Sequence, residues 1–301
     1  MYHQPVMLNE CIENLNIRPD GTYVDATFGG GGHSRAILSH LGPDGRLFAF
    51  DQDADALANA IDDPRFKLIH ENFKHVKSFL RLEGVRAVDG LLADLGVSSH
   101  QFDEAERGFS TRLEGELDLR MDRRQELTAR TLVNTASEEE LAQMLRLYGE
   151  LPNARQMARA ICHARSEAEI VTTFDLRNAV SRHLPRGMEN KYLAMLFQAL
   201  RIVVNGELEA LQALLQQGTE LLKPEGRMVV MSYHSLEDRL VKNYFRAGNF
   251  EGEVEKDFYG NPIVPLVPVS RKAIVATEQE VQLNPRSRSA RLRVAERIIK
   301  S

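Results

Sequence analysis

Three aspartates and one glycine run are the residues whose types and spacing suggest chemistry. Asp25, Asp51 and Asp94 each close an apolar, β-favouring run (TYVD, RLFAFD and VDGLLAD). Shortly after Asp25 come four glycines, Gly29, Gly30, Gly31 and Gly32, then His33, Ser34 and the helix-favouring Arg35-Ala36-Ile37-Leu38. The stretch reads as a strand, a tight turn and a helix start. Glycine has no Cβ, so backbone amides in such a turn can come close to a ligand. The positive end of the helix favours an electron-rich group there. Turns of this kind serve NAD, FAD and S-adenosylmethionine alike, and a turn without a ligand is the plain alternative.

Asp51 lies 20 residues after Gly31. A carboxylate at that strand end commonly accepts hydrogen bonds from ribose hydroxyls, which suits NAD and S-adenosylmethionine equally. Three features favour the methyl donor. A carboxylate at Asp25 would repel a pyrophosphate but suits an ammonium or sulfonium. The segment LLKPEGRMVV (221–230) sets a helix, a Pro-Gly turn and an apolar strand late in the sheet, as in the common methyltransferase fold. The loop Asp94-Leu95-Gly96-Val97-Ser98-Ser99 puts an acid and two hydroxyls where a methyl acceptor would sit.

Apolar strand-like runs near 22–28, 46–51, 66–70 and 88–96 alternate with helical stretches at 34–41, 53–61 (Asp53 as N-cap) and 74–83. Short connections in this order predict an α/β fold with a parallel sheet. Right-handed crossovers then bring all three acids to one sheet edge, where ligands of such sheets bind. The alternation breaks after Ser99. Residues 100–126 are polar, and 127–200 read as four consecutive helices, one opened by a Ser137/Glu140 capping box. A helix at 206–222 and a strand at 227–234 resume the pattern. Ser235 is the expected N-cap of a helix at 236–247, with Asp238 at its third position. Residues 249–268 read as a loop, and 271–276 with 289–295 as a closing antiparallel pair. The expected domains are 1–105 with 204–301, a discontinuous Rossmann-like unit, and 106–203, an inserted all-helical unit.

The chain has 301 residues, 43% hydrophobic and 27% charged, the composition of a soluble globular protein. No apolar run approaches the ~20 residues that span a bilayer. The first residues, MYHQPVMLNE, lack the basic and apolar regions of a signal peptide, so a cytoplasmic protein is expected. Cys11 and Cys162 lie far apart without a CxxC, which predicts reduced thiols and no zinc. No metal is expected: His234, Glu237 and Asp238 are better read as helix capping and ion pairing. Residues 271–301 carry eight Lys/Arg and three Glu, a net of +5 on a chain whose total is −5. That asymmetry predicts a local basic surface on an acidic body.

With those residues in hand, the chain resembles the MraW-type family of bacterial small-subunit ribosomal RNA methyltransferases, which modify cytosine N4. The matching segments are His3-x-Pro5-Val6, DATFGGGGHS (25–34), FDQDADAL (50–57), HENF (70–73), DGLLADLGVSSHQFDEAERGFS (89–110), LDLRMD (117–122), YGE (148–150), LFQALRIVVNGEL (196–208), SYHSLEDR (232–239) and NPRSRSARLRVAER (284–297). The resemblance implies a class I S-adenosylmethionine-dependent methyltransferase sheet with a helical insert that recognises substrate. It implies cofactor contacts at Gly31, Gly32, His33, Asp51, Phe73, Asp94 and Gln101. It also implies 16S ribosomal RNA within the small ribosomal subunit as partner, a decoding-centre cytidine as acceptor, and no membrane. Oligomeric state is left open between a single copy and a homodimer. Departures from the family pattern are His100 before Gln101, Glu116-Leu117-Asp118-Leu119, and Asn190 to Met195; all touch the acceptor side or the insert.

The N4 amine of cytosine is conjugated with its ring and is a poor nucleophile. A group accepting an N4–H bond would free its lone pair. Asp94 is the first candidate, with Ser98, Ser99 and the 232–238 loop as alternatives; Tyr233 or Phe109 could supply a stacking face. The target base must be turned out of its stack. Arg107, Arg120, Arg123 and Arg124 are candidates to hold phosphates. Two readings from other classes are an NAD-dependent enzyme on a similar sheet and a non-catalytic RNA-binding assembly factor.

Overall fold

A computed structural model describes residues 5–298, apart from the Ser99 side chain; His3 and Lys300 of the segments above lie outside the described residues. The strands are β1 (Thr22–Asp25), β2 (Arg46–Asp51), β3 (Phe66–His70), β4 (Val88–Asp94), β5 (Leu222–Ser232), β6 (Leu266–Pro268), β7 (Ile274–Val275) and β8 (Arg291–Arg297). The helices are α1 (Leu8–Leu15), α2 (Gly32–His40), α3 (Val76–Leu82), α4 (Ser99–Asp103), α5 (Ala129–Thr135), α6 (Glu138–Leu147), α7 (Ala154–Glu167), α8 (Thr173–Val180), α9 (Glu189–Asn205), α10 (Glu207–Leu221), α11 (Ser235–Ala247) and α12 (Glu278–Leu283). No helix among the described residues is long and apolar enough to cross a membrane.

The sheet order is β3-β2-β1-β4-β5-β8-β6, with β7 also paired to β8. Strands β1 to β5 are parallel, and β8 runs antiparallel between β5 and β6. This is the expected class I methyltransferase sheet. The order reverses between β1 and β4, the topological switch point at which such sheets bind ligands. Alternate residues serve opposite faces, as the pleat requires. Val24, Phe48, Leu91 and Val230 join Val76 and Leu80 of α3, Leu211 and Leu214 of α10 and Val241 of α11 in one core layer. Tyr23, Leu47, Leu92, Val229 and Met231 join Cys11 and Leu15 of α1 and Ile37 and Leu38 of α2 in the other.

The chain divides into two compact units, Met1–Gly96 with Leu208–Ser301, and Val97–Glu207. The second is all-helical apart from one isolated bridge, Glu116 to Thr172. Its core includes Leu117, Leu132, Leu145, Met157, Leu176 and Leu200, and Val97 and Phe102 pack against it. Those two apolar residues tie the segment after β4 to the helical unit, so the unit begins earlier than position 106.

Several local expectations differ from the structure. The α2 helix begins at Gly32, two residues before Ser34. The Asp53-capped segment is a 3-10 helix, Ala54–Asn59. In the helical unit α4 and α5 add two helices to the four expected, and the cap of α5 is Thr128. Helix α8 is capped by Thr172 in a box with Asp175. Helix α11 is capped by His234 with Glu237 at the third position, while Asp238 pairs with Arg293 at 2.7 Å. The segment expected as a loop at 249–268 ends in β6, a short edge strand closed by Pro268, a position where a missing N–H costs little.

Candidate active site

Asp25, Asp51 and Asp94 all end parallel strands, so the sheet brings them to one edge. Their roles divide there. Asp25 is buried, at 1% exposure. Its carboxylate accepts hydrogen bonds from Ser34 Oγ at 2.7 Å and from the Thr27 amide at 3.1 Å. It therefore braces the turn against the first turn of α2, and the sequence reading that aimed it at a cationic ligand is corrected. Burial raises its pKa, and the Ser34 and Thr27 hydrogen bonds oppose this.

The turn is held from outside. Arg35 donates to the Gly30 carbonyl at 2.7 Å and Asn59 to the Gly29 carbonyl at 3.0 Å. Gly31 is the N-cap of α2 with φ 75°, a left-handed conformation that side chains disfavour. Gly32 is pressed against Pro5, whose Cγ would lie 2.2 Å from an added Cβ. A strap of residues 5–7 therefore closes over the start of α2, and the first amides of that helix lack intrahelical acceptors.

Asp51 takes one hydrogen bond on each oxygen, from Gly29 N at 2.7 Å and Asp53 N at 2.9 Å. Each oxygen keeps a lone pair, enough for two hydroxyl donors. Burial is the main cause that pushes its carboxyl up to about 6. Phe73 opens the 3-10 turn after β3 and packs partly buried on the core.

Asp94 accepts a hydrogen bond from Tyr233 Oη at 2.7 Å, and its own amide donates to Thr27 Oγ1 at 2.7 Å. Its other oxygen faces His33 Nδ1 at 3.9 Å. Burial pushes Asp94 up to about 6, with His33 and then the Tyr233 hydrogen bond opposing the rise. His33 is 6% exposed, and burial lowers its pKa, so its ring is neutral near pH 7. Its Nε2 lies 3.2 Å from the Val6 carbonyl, an oxygen that can only accept. The proton therefore sits on Nε2, and Nδ1 turns a lone pair toward Asp94. Two acceptors thus face one another, an arrangement that suits a donor hydrogen between them. Burial and Asp94 together hold the Tyr233 phenol protonated.

Gly31, Gly32, His33, Asp51, Asp94 and Tyr233 are thus set by one sheet edge and its turns. Ser98 and Gln101 belong to the helical unit. There the Ser98 hydroxyl accepts from the Gln101 amide at 3.2 Å, and the Gln101 side chain accepts from the Ser98 amide at 3.0 Å. This capping box starts α4 and uses one acceptor site on each side chain; the Ser98 hydroxyl proton and the Gln101 amide NH2 are donors outside the box. Ser99 is the first residue of α4; its side chain lies outside the described residues. Phe109 is buried in the helical core, so it offers no stacking face. Tyr233 packs beside the α1 and α2 layer, with its ring against Gly96, and its hydroxyl serves Asp94.

The arginine candidates also divide. Arg107 is 2% exposed and donates to the Arg120 and Met121 carbonyls; it is a core residue, not a phosphate ligand. Arg120 pairs with Asp118 at 2.7 Å and Arg124 with Asp122 at 2.9 Å. Arg123 is exposed. Sequence reasoning missed the roles of Thr27 and Ser34. Their signal was present as hydroxyls two and nine positions after Asp25.

The residues at the edge can be weighed against a cationic nucleoside ligand. Among the described residues neither Asp51 nor Asp94 has a Lys or Arg partner. Both are held near neutral pH by burial. A ligand bringing hydroxyl donors to one and positive charge to the other would stabilise both ionised forms. The donor set therefore fits S-adenosylmethionine.

Comparison with known proteins agrees with this chemistry. A model of the MraW methylase family matches residues 1–298. The ribosomal RNA small subunit methyltransferase H of Flavobacterium johnsoniae is 54% identical over 297 residues, covering 99% of this chain and 98% of that protein. The protein of the same name from Bacteroides thetaiotaomicron is 54% identical over 296 residues, 98% of this chain and 97% of that one. The crystal structure of a rRNA methylase from Streptococcus thermophilus aligns with 97% of this chain and 94% of its own, at 11% identity and a TM-score of 0.43.

Proposed function

The chain belongs to the MraW methylase family, and from that premise we propose that it transfers a methyl group from S-adenosylmethionine to the N4 amine of a cytidine in the decoding centre of 16S ribosomal RNA. Its two cited relatives, each named ribosomal RNA small subunit methyltransferase H, match almost the whole chain. They support an S-adenosylmethionine-dependent ribosomal RNA methyltransferase. The observation that carries the reading at the site is the Asp51/Asp94 pair: two strand-end carboxylates, short of positive partners, on either side of a glycine turn. An NAD enzyme is not favoured, because the described residues at this edge include no hydride-transfer constellation.

Asp51 would hold the ribose hydroxyls, and Gly31, Gly32 and His33 the amino acid end, with Phe73 beside the adenosine. Bound S-adenosylmethionine supplies an electrophilic methyl on a sulfonium. The chain's own part is alignment, worth up to ~7–11 kcal/mol of such a barrier, and management of one proton. The Asp94 carboxylate accepts a hydrogen bond from the N4 amine and frees the nitrogen lone pair. As nitrogen gains its new bond to carbon it sheds a proton, and Asp94 Oδ2 takes it. Tyr233 holds Oδ1 throughout, so Oδ2 is the oxygen presented.

The helical unit, residues 97–207, is assigned to substrate recognition. Its exposed Arg123, Arg182, Arg186 and Lys191 support that assignment. Ribosomal RNA as acceptor supports a cytoplasmic location. The deciding experiment is mass spectrometry of 16S RNA from cells with and without the gene, and of purified subunits and naked RNA treated with the protein. Gain of 14 mass units (about one CH2) on one cytidine is expected, in subunits rather than naked RNA. Unchanged RNA, or a methyl on another base, overturns the reading. Light scattering of the active species assigns it to one copy or a homodimer.

The raised carboxyls give a pH signature. Asp51 and Asp94 titrate near 6 in the folded chain against 3.8 unfolded. The ligand-free folded state therefore binds more protons than the unfolded state between these values. Stability contributed by these acids falls as pH rises through that window. A ligand that favours the ionised forms reverses the sign. The rise in melting temperature caused by S-adenosylmethionine is thus expected to grow from pH 5 to pH 7. Equal shifts at both pH values would show that neither acid meets the cofactor.

A further inference from the structure

The antiparallel course of β8 has a result at the functional edge. Parallel strands bring their C-terminal ends there; β8 brings its beginning. Arg291 pairs in register with Ser232, the last residue of β5, one position before Tyr233. Within β8 the side chains alternate: Leu292 and Val294 enter the α1/α2 layer, so Arg291 and Arg293 point to the α11 side. Arg293 is consumed there by Asp238, at 2.7 and 3.1 Å. Arg291 is exposed, as are Arg288 in the preceding 3-10 turn and Lys242 on α11. Among the described residues none of these three has an acidic partner.

These cations line a groove of about 490 Å³ together with Arg239 and Tyr233. Its one acid, Asp238, is already neutralised by Arg293. The groove is therefore positive, and among its lining residues is the tyrosine whose hydroxyl holds Asp94. We propose that this groove binds the phosphodiester backbone of the RNA strand carrying the target cytidine, next to the flipped nucleotide. The inference rests on the methyltransferase reading above and adds to it a phosphate site on the methyltransferase unit itself.

Three observations carry it. Arg288, Arg291 and Lys242 are gathered at one place without acidic partners among the described residues, which costs stability unless an anion is received. The extent of the groove suits a run of chain rather than one ion. And Tyr233, which lines the groove, donates its hydroxyl to Asp94, so one residue links the groove to the acid that would receive the amine. Phosphate contacts position a nucleic acid without reading its sequence, so the groove would serve placement while the base is chosen elsewhere.

The test uses the full chain carrying Arg288→Glu and Arg291→Glu together. Cofactor affinity serves as the folding control, since neither residue belongs to the cofactor site. KM for small subunits is expected to rise about tenfold or more, with kcat changed far less. Binding of a single-stranded RNA oligonucleotide is expected to lose about 1.4 from its log–log salt slope, the share of two phosphates at ~0.7 each. Unchanged KM and salt slope with cofactor affinity intact overturn the proposal. Equal competition by polyglutamate at matched charge also overturns it, in favour of an acidic protein partner. If the wild-type chain methylates no RNA, the methyltransferase reading fails, while the salt slopes of wild type and variant still decide the groove. Should the double variant lose cofactor binding, Lys242→Glu and Arg288→Gln replace it with the same readouts.

Discussion

Replacing Asp94 by asparagine lowers single-turnover methylation by about 10²–10⁴-fold, the range over which a positioned acid or base acts. The substitution is close to isosteric. Tyr233 Oη, now 2.7 Å from Oδ1, fixes the asparagine carbonyl in that place. The amide nitrogen is thereby turned toward His33 Nδ1, which offers a lone pair. The variant sets a donor opposite His33 Nδ1 where the wild type has two acceptors facing at 3.9 Å, so it folds and its melting temperature does not fall. It cannot take a proton at the presented position. Full turnover by such a variant would remove Asp94 from proton transfer. Tyr233→Phe gives a graded companion: with Oδ1 released, the carboxylate keeps its charge but loses its orientation, and the pH at half-maximal rate moves upward.

Asp51→Ala is expected to weaken S-adenosylmethionine binding by about 10²–10⁴-fold, as two charge-assisted hydrogen bonds at ~1.5–3 kcal/mol each would require. The same change strips acceptors from the Gly29 and Asp53 amides, so the glycine turn loses an anchor as well as a ligand. Equilibrium dialysis separates this from the Asp94 variant. Asp51→Ala acts on Kd, and saturating cofactor restores part of the rate; Asp94→Asn acts on the rate at saturation. A Kd within threefold of wild type in folded Asp51→Ala would move the ribose elsewhere.

The sheet was legible because its strands are short apolar runs closed by acids, and period-two burial needs nothing from distant parts of the chain. What each acid does was less legible. Asp25 looked like its two fellows, and only the hydroxyl of Ser34, brought back by the turn, makes it a brace. The cap of α11 shows the same limit. His234 with Glu237 and Ser235 with Asp238 both satisfy capping spacing, one register apart. Arg293, 55 positions away, removes Asp238 from the contest. Arg107 resembled its exposed neighbours in sequence, yet the carbonyls of Arg120 and Met121 draw it inward. In each case the missing information was a partner distant in sequence, which local propensity does not carry.

The place of β8 also bears on how the molecule is made. This strand follows all others in the chain, yet it fills the gap between β5 and β6. Until residues 291–297 have left the exit tunnel, the outer side of β5 is a row of unpaired N–H and C=O groups, the kind of edge that recruits other chains. The basic groove is open-ended for the same interval, since Arg291 is the first residue of that strand. A nascent chain can thus build its glycine turn well before it can grip RNA. If ribosomal RNA is bound in that groove as proposed, this order of events delays its capture until the sheet is closed.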